Sequence, residues 1–354
     1  MIEFKRIAID TSKSVFTLHG VGADERTIVR KTLSRSALLP FFSKLAPTEI
    51  ALEACGSAHH WARQLQALGH ALRLIPPQYV KPFVKRGKND RNDAEAISEA
   101  AARPAMRSVP VKSVECQAQT CTLGVRDLLV RQRTQLVNAL RGHAAEFGAV
   151  AARSRAGLAA LRIALRDTDL PGEARETFDF LILQIERLDQ EIQTLDTRLM
   201  ARHKANPVSR MLAGIPGIGP IGAVTLAARI DPAQFASGRH LAAWIGLTPK
   251  EHSTGGRQHL GGISRAGDER LRQLLVLGAT SVIRHRVAAQ QAAAKTGKPA
   301  PAGPLSAGTH AWLTSLLERR PRKLCAVALA NKMARIAWAM MTSGELYRRQ
   351  PAAA

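Results

Sequence analysis

Asp10, Glu53, Asp90 and Asp93 are the residues of this 354-residue chain whose type and setting could do chemistry. Asp10 lies in "IAIDTSK" and Glu53 ends the strand within "IALEACG", so each sits in an apolar, strand-like run. A carboxylate placed there is expensive unless it is paired or holds a cation. Asp90 and Asp93 belong to "RGKNDRNDAEAIS", where a cationic loop runs into a helix; three residues apart, they share one helix face. Alone, that pair reads as helix capping and dipole compensation. Joined by the two strand acids, it offers hard oxygen ligands for two divalent ions, Mg2+ or Mn2+, about 4 Å apart, the arrangement used in phosphoryl transfer. Arg86, Lys88 and Arg91 around the pair would then grip a phosphodiester backbone.

A second set of groups lies in "GLTPKEHSTGGRQHLGGISRAG". Its glycines do little for stability, and they set the hydroxyls of Ser253 and Thr254 among the cations Lys250, Arg257 and Arg265. Between the two sets, "GIPGIGP" resembles the turn of a helix-hairpin-helix. There Gly217 and Gly219 would permit close backbone approach, and the amides opening the next helix could bind a phosphate without reading sequence. His59 and His60 have no partners at metal-ligand spacing and read as helix residues.

The elements that must position these groups follow from the pattern. "RIAIDTSKSVFTLHGVG" and "TIVRKTL" alternate like hairpin strands, then "TEIALEA" and "HALRLIP" alternate with the helix-like "ALLPFFSKLA" and "SAHHWARQLQALG", which implies a mixed sheet flanked by helices. Helical, Arg-rich sequence begins near residue 114. Leu181, Ile185, Leu188, Ile192, Leu195 and Leu199 form an a/d seam over a helix at 176–203, equally suited to self-association and to packing within one chain. A helical unit starts near Ser209, "AAQQAAAKTGKPAPAGPLSAG" reads as a loop or flexible insert, and "KLCAVALANKMARIAWAMM" as an apolar helix packed back on that unit. The expected division is 1–150, 151–208 and 209–354, an α/β domain followed by an α connector and a mostly α domain.

Composition narrows the partners. Lys and Arg number 51 against 28 Asp and Glu, a net charge of +23 spread through the chain, which points to a polyanion, nucleic acid above a membrane surface. No basic anchor, signal peptide or run of about 18 apolar residues is visible, so a cytoplasmic protein that joins the nucleoid when active is expected. The cysteines, Cys55, Cys116, Cys121 and Cys325, lack paired spacing and read as buried thiols in a reducing compartment. Aromatic residues make up 4%, which argues against extended base-stacking platforms.

The acids in the order D-E-D-D, within "IAIDTSK", "LEACGSAHHW" and "GKNDRNDAEAI", resemble the RuvC-like, ribonuclease-H-fold domain of the DEDD transposases of bacterial insertion sequences, the one-ten group with its one-one-one-one subgroup. "GIPGIGPIGAVTL", "LAAWIGLTPKEHSTGGRQHLGGISRAGDERLRQLL" and "RRPRKLCAVALANKMARIAWAM" extend the resemblance over essentially the whole chain. It implies a transposase or recombinase with a metal site at Asp10, Glu53, Asp90 and Asp93. It also implies a serine nucleophile that links covalently to DNA, Ser253 as head of the family's "SG" pattern, although Thr254 intervenes before Gly255. The implied partners are donor and target DNA, a non-coding bridge RNA and a second copy or three further copies of the chain. Two rivals remain: a metal-dependent junction-resolving nuclease of the Holliday-junction type with an incidental serine, and a non-catalytic nucleic-acid-binding module.

Overall fold

The structure is a computed structural model that describes residues 3–85, 87, 89–297 and 303–348. The chain forms two compact units, 1–117 and 118–354.

The first unit is built on a five-stranded sheet in the order β3-β2-β1-β4-β5. Strands β1 (Arg6–Thr11), β2 (Val15–Val21) and β3 (Thr27–Ser34) form an antiparallel meander; helix α1 (Leu38–Phe42) leads to β4 (Glu49–Glu53), and α2 (Ala58–Ala67) leads to β5 (Ala71–Ile75). β4 runs parallel to β1, and β5 parallel to β4. A short α3 (Pro77–Val80) precedes α4 (Asp90–Ala102).

Strand alternation sorts the two faces of the sheet. Ile7, Ile9, Phe16, Leu18, Ile50, Leu52 and Leu74 bury against Phe42, Trp61 and Leu65 of α1 and α2. The opposite face carries Ala8, Ala51 and Ile75, and α4 lies on it through Ala96, Ile97, Ala100 and Ala101. Alanines on both sides let the helix backbone come close to the strands. Arg6 at the start of β1 donates to Ser98 near the end of α4, whereas Asp10 at the end of β1 meets the start of that helix, so α4 runs antiparallel to β1.

Helix α5 (Val114–Glu146) continues into the second unit, followed by α6 (Arg155–Asp167) and α7 (Gly172–Ala205). The predicted seam is present, and Leu181, Ile182 and Ile185 pack within the same chain against Leu140, Leu158, Leu161 and Leu165 of α5 and α6. Ion pairs Arg133–Asp189 and Arg126–Asp196 fix the register of α5 on α7. The seam is thus satisfied inside one chain along this stretch.

A separate core holds α8 (Pro207–Leu212), α9 (Pro220–Arg229), α10 (Gly238–Trp244), the hairpin of β6 (Pro249–Glu251) and β7 (Leu260–Ile263), α11 (Glu269–Thr296), α12 (Ala307–Arg319) and α13 (Arg322–Ser343). Gly217 has φ +91°, and a Cβ there would lie 2.8 Å from the Gly278 carbonyl of α11, while one on Gly278 would lie 1.9 Å from the Gly217 carbonyl. The glycine of this turn therefore serves helix packing. α13 is long and apolar enough by composition to cross a membrane, yet Cys325, Leu329, Met333, Ala337 and Met340 are buried in this core.

Three expectations need correction. The segment read as a loop from residue 288 is helical through Thr296, because its Ala and Gln residues are strong helix formers and the Pro/Gly signal begins only afterwards. The glycine-rich "HSTGGRQHLGG" is a hairpin rather than a loop. Of the cysteines, Cys325 is buried, Cys55 and Cys116 are half-buried and Cys121 is exposed; all are free thiols.

Candidate active site

Asp10, Asp90 and Asp93 converge. Each offers a carboxylate oxygen, and these atoms lie within 4.8 Å of one another. The capping reading of the helix pair fails on the geometry: Asn89 is the N-cap, its side chain accepting from the Asn92 amide at 2.9 Å. Asp90 and Asp93 are therefore free of that task and point their shared face at the end of β1. Glu53 lies outside this trio. It stands one residue past the Ile9–Leu52 pair of the parallel strands, which puts it beside Asp10 on the face covered by α4.

The electrostatics record the crowding. The Asp10 carboxyl is pushed up to about 6, first by burial and then by the negative charges of Asp93, Asp90 and Glu53. A set of purely carboxylate oxygens, half-buried at Asp10 and Asp93, exposed at Asp90 and mutually repelling, fits a hard divalent cation, whose charge would offset the repulsion and the burial of Asp10. The site sits at the carboxyl ends of the parallel strands β1 and β4, where open α/β sheets place their ligands. Around it, Arg91 is exposed on the first turn of α4; Arg86 and Lys88 lie outside the described residues.

The second set of groups sits on the β6–β7 hairpin, where residues 251–262 are all exposed. Thr254 and Arg257 exchange backbone hydrogen bonds of 3.3 and 3.0 Å across Gly255 and Gly256, whose φ values of +55° and +75° make a tight two-residue turn. Ser253 donates from Oγ to Glu251 Oε1 at 2.7 Å and accepts from the His259 amide at 3.3 Å. Sequence reasoning missed Glu251. Its signal was the spacing of two from Ser253, which places both side chains on one side of an extended segment.

Lys250 and Arg257 are exposed on the same hairpin, and Arg265 is exposed at its base, where its amide bonds to the Gly246 carbonyl. Arg265 adopts φ +55°, and the hairpin base is held rigidly: a Cβ on Gly246 would meet Ala266 O at 2.3 Å, and one on Gly267 would meet Trp244 O at 1.7 Å. Gly219 opens α9 with no side-chain cap, leaving the amides of that first turn uncapped by a side chain.

Relatives with known names bear on this geometry. The transposase profile of the DEDD group matches residues 7–147, and the profile described as "Transposase IS116/IS110/IS902 family" matches 209–294. The chain belongs to this transposase family. It is 53% identical over 347 residues to a protein of Sinorhizobium fredii, covering 97% of this chain and 86% of that one. With the transposase for insertion sequence element IS1111A of Coxiella burnetii it shares 37% over 352 residues, covering 98% and 92%. With the transposase for insertion sequence element IS1328 of Yersinia enterocolitica it shares 36%, covering 97% and 98%. The mixed sheet and its acidic cluster are consistent with a DEDD, RuvC-like nuclease fold, and DNA transposase activity follows from the family.

Proposed function

We propose that this transposase cuts and rejoins the DNA of an insertion sequence with two kinds of chemistry: a divalent-metal site made by Asp10, Glu53, Asp90 and Asp93, and a nucleophilic hydroxyl on Ser253. The observation that carries the reading is the convergence of Asp10, Asp90 and Asp93 to within 4.8 Å in a like-charged cluster, with Asp10 and Asp93 half-buried and Asp90 exposed. Mg2+ or Mn2+ bound there supplies Lewis-acid stabilisation of charge on a phosphate oxygen. Asp10 and Glu53 project from adjacent strands and Asp90 and Asp93 from one helix turn, so the donors are set by backbone that does not need to move when the ligand arrives. Arg86, Lys88 and Arg91 neutralise the strand that enters, and Gly219, with no side-chain cap over the first turn of α9, opens a further phosphate contact beside the packing glycine Gly217.

At the hairpin, Glu251 holds the proton of Ser253 in a hydrogen bond and accepts it as the Oγ–P bond forms and the bond from phosphorus to the leaving sugar oxygen breaks. Lys250, Arg257 and Arg265 offset the charge that builds on the phosphate oxygens. Thr254 has the same hydroxyl, but its β-branch stiffens χ1 and its backbone is committed to the turn. The division into a catalytic region (1–150), connector (151–208) and serine-bearing region (209–354) follows the chemistry. A net charge of +23 suits an RNA as well as DNA, and a structured bridge RNA is the guide we propose, in a working dimer or tetramer.

The test uses the full chain with the RNA that copurifies with it and labelled element-end DNA. Denaturing electrophoresis should reveal a protein–DNA adduct in wild type and in Thr254→Ala, and none in Ser253→Ala. An adduct that persists in Ser253→Ala and vanishes in Thr254→Ala moves the nucleophile by one residue. Cleavage without any adduct returns the choice to a metal-dependent nuclease. Sequencing the bound RNA should recover one structured species; random fragments, with activity indifferent to ribonuclease, would sink the guide.

A further inference from the structure

Beside the carboxylate cluster lies a pocket of about 240 Å³ that the chemistry above does not use. It is lined by Thr17, Leu18 and His19 of β2, Arg30, Lys31 and Thr32 of β3, and Arg91 of α4; the side chains of Leu18 and Lys31 belong to the other face of the sheet, Leu18 in the core under α1 and α2 and Lys31 over the Phe41 ring. Register explains the grouping. Asp10, Thr17 and Thr32 form one row across β1, β2 and β3, and Ala8, His19 and Arg30 form the row two residues away, all on the face that α4 covers. Arg91 follows Asp90 directly. The pocket is thereby tied to the acids twice, once through the strand row and once through the helix.

Its chemistry is that of an anion site. Thr17 is buried in β2 and lines the pocket. Buried His19 uses Nε2 toward Thr27 Oγ1 at 3.4 Å and leaves Nδ1 without a partner. Burial holds its imidazole below the usual pKa, so it contributes a neutral polar wall. The charges are Arg30 and Arg91. Arg30 pairs with Glu95 at 3.3 Å, but Glu95 is also held by Lys85 at 2.6 Å, so one carboxylate is divided between two cations and the rim stays positive. Arg91 makes no ion pair among the described residues. Two hydroxyls and two guanidinium groups around a space of this size match a tetrahedral oxyanion.

We propose that this pocket binds a backbone phosphate of the nucleic acid next to the one addressed by the carboxylate cluster, and so sets the register of the strand at the metal site. This rests on the phosphoryl-transfer reading above. Thr17, Thr32, Arg30 and Arg91 are positioning residues: they hold the neighbouring phosphate and leave the reacting one to the acids.

The test is titration of inorganic phosphate into the metal-free full chain in EDTA, followed by phosphorus NMR. Wild type should bind at one saturable site. Thr32→Val changes no charge and keeps the strand's β-branched shape, yet should weaken binding at least fivefold, as should Arg91→Gln. Lys31→Gln is the charge control, because its ammonium lies over the Phe41 ring on the other face of the sheet, and it should change nothing. Asp10→Asn removes a neighbouring negative charge and should tighten phosphate binding. Phosphate should be displaced by an oligothymidylate of about eight nucleotides and not by its uncharged methylphosphonate analogue.

Absence of a saturable site, an unaffected Thr32→Val, or equal losses in Lys31→Gln and Arg91→Gln would overturn the proposal. Phosphate that the oligonucleotide cannot displace would assign the pocket to a free anion and overturn the backbone reading. Mn2+ binding, followed by electron paramagnetic resonance in the same proteins, separates the two readings. Wild type that binds no Mn2+ defeats the metal site and leaves the phosphate result standing, whereas Thr32→Val with full Mn2+ binding and unchanged phosphate affinity defeats the pocket alone.

Discussion

The carboxylate cluster and the serine hairpin are opposites in construction. The cluster draws on the end of β1 and the first turn of α4, with Glu53 beside it on β4, and concentrates like charge until one carboxyl is held near 6. The hairpin is exposed along its whole outer length, turns on two glycines of positive φ, and secures its hydroxyl with a single carboxylate partner and one amide. Only its base is fixed, by glycines that let residues 264–267 lie against the end of α10. On the proposed reading, a cation that demands fixed ligand spacing would meet a frame of strands and helix. On the same reading, the nucleophilic hydroxyl stands on an exposed hairpin whose base packs on the core.

That contrast breaks first at Asp10. Asp10→Asn preserves shape while removing the central charge, and DNA cleavage should fall about 10³-fold, the order expected when several kcal/mol of charge stabilisation is lost. Cleavage at the wild-type rate would show the cluster to be structural. The hairpin should yield less. Glu251→Gln keeps the hydrogen bond and removes the base, so adduct formation should slow about 10²-fold, with a pH–rate profile that loses its acid limb. An unchanged profile would assign the base to another group.

Stability sharpens the same contrast. Gly217→Ala places a methyl against the α11 backbone at positive φ and should cost about 2–4 kcal/mol in denaturant unfolding. Gly255→Ala meets no atom within 4 Å at the hairpin tip and should cost only about 1 kcal/mol. Equal costs would mean that the tip is as constrained as the core.

The smallest effect concerns protons. The folded Asp10 pKa of about 6 lies above its ordinary 3.8, so the folded state binds the proton more tightly. The metal-free protein gains from this at low pH, loses it as pH rises from about 4 to 6, and lies on the lower plateau above 6. Screened by solvent at a half-buried site, the change is about 1 kcal/mol. Asp10→Asn should flatten that decline and raise Tm by a few degrees at pH 7 in EDTA, and saturating Mn2+ should reverse the order of the two proteins.

Much of the first unit was legible because strand alternation and charge contradict each other there: Asp10 and Glu53 stand in runs that are otherwise buried, and only a ligand or a partner reconciles them. The role of Asn89 was not legible, since Asn89, Asp90 and Asp93 are all good caps and only the backbone decides among them. The hairpin was read as a loop because glycine lowers strand propensity, although Gly255-Gly256 between extended residues is itself a signal for a two-residue turn. The bond between Ser253 and Glu251 depended on recognising that strand. The row Asp10–Thr17–Thr32 was invisible because register across three strands cannot be read from any one of them, and the seam of α7 fits a partner in the same chain as well as one in another.

Ala8 and Ala51 touch no ligand, yet they act as a gauge. They set how near α4 lies to the sheet, and hence how far Asp90 and Asp93 stand from Asp10. A valine at either position would lift the helix while every acid kept its identity, and the opening would then suit a wider ion of longer oxygen bonds better than a narrow one. On the proposed metal reading, two methyl groups on the floor beneath the helix thus bear on whether a small or a large cation fits the cluster.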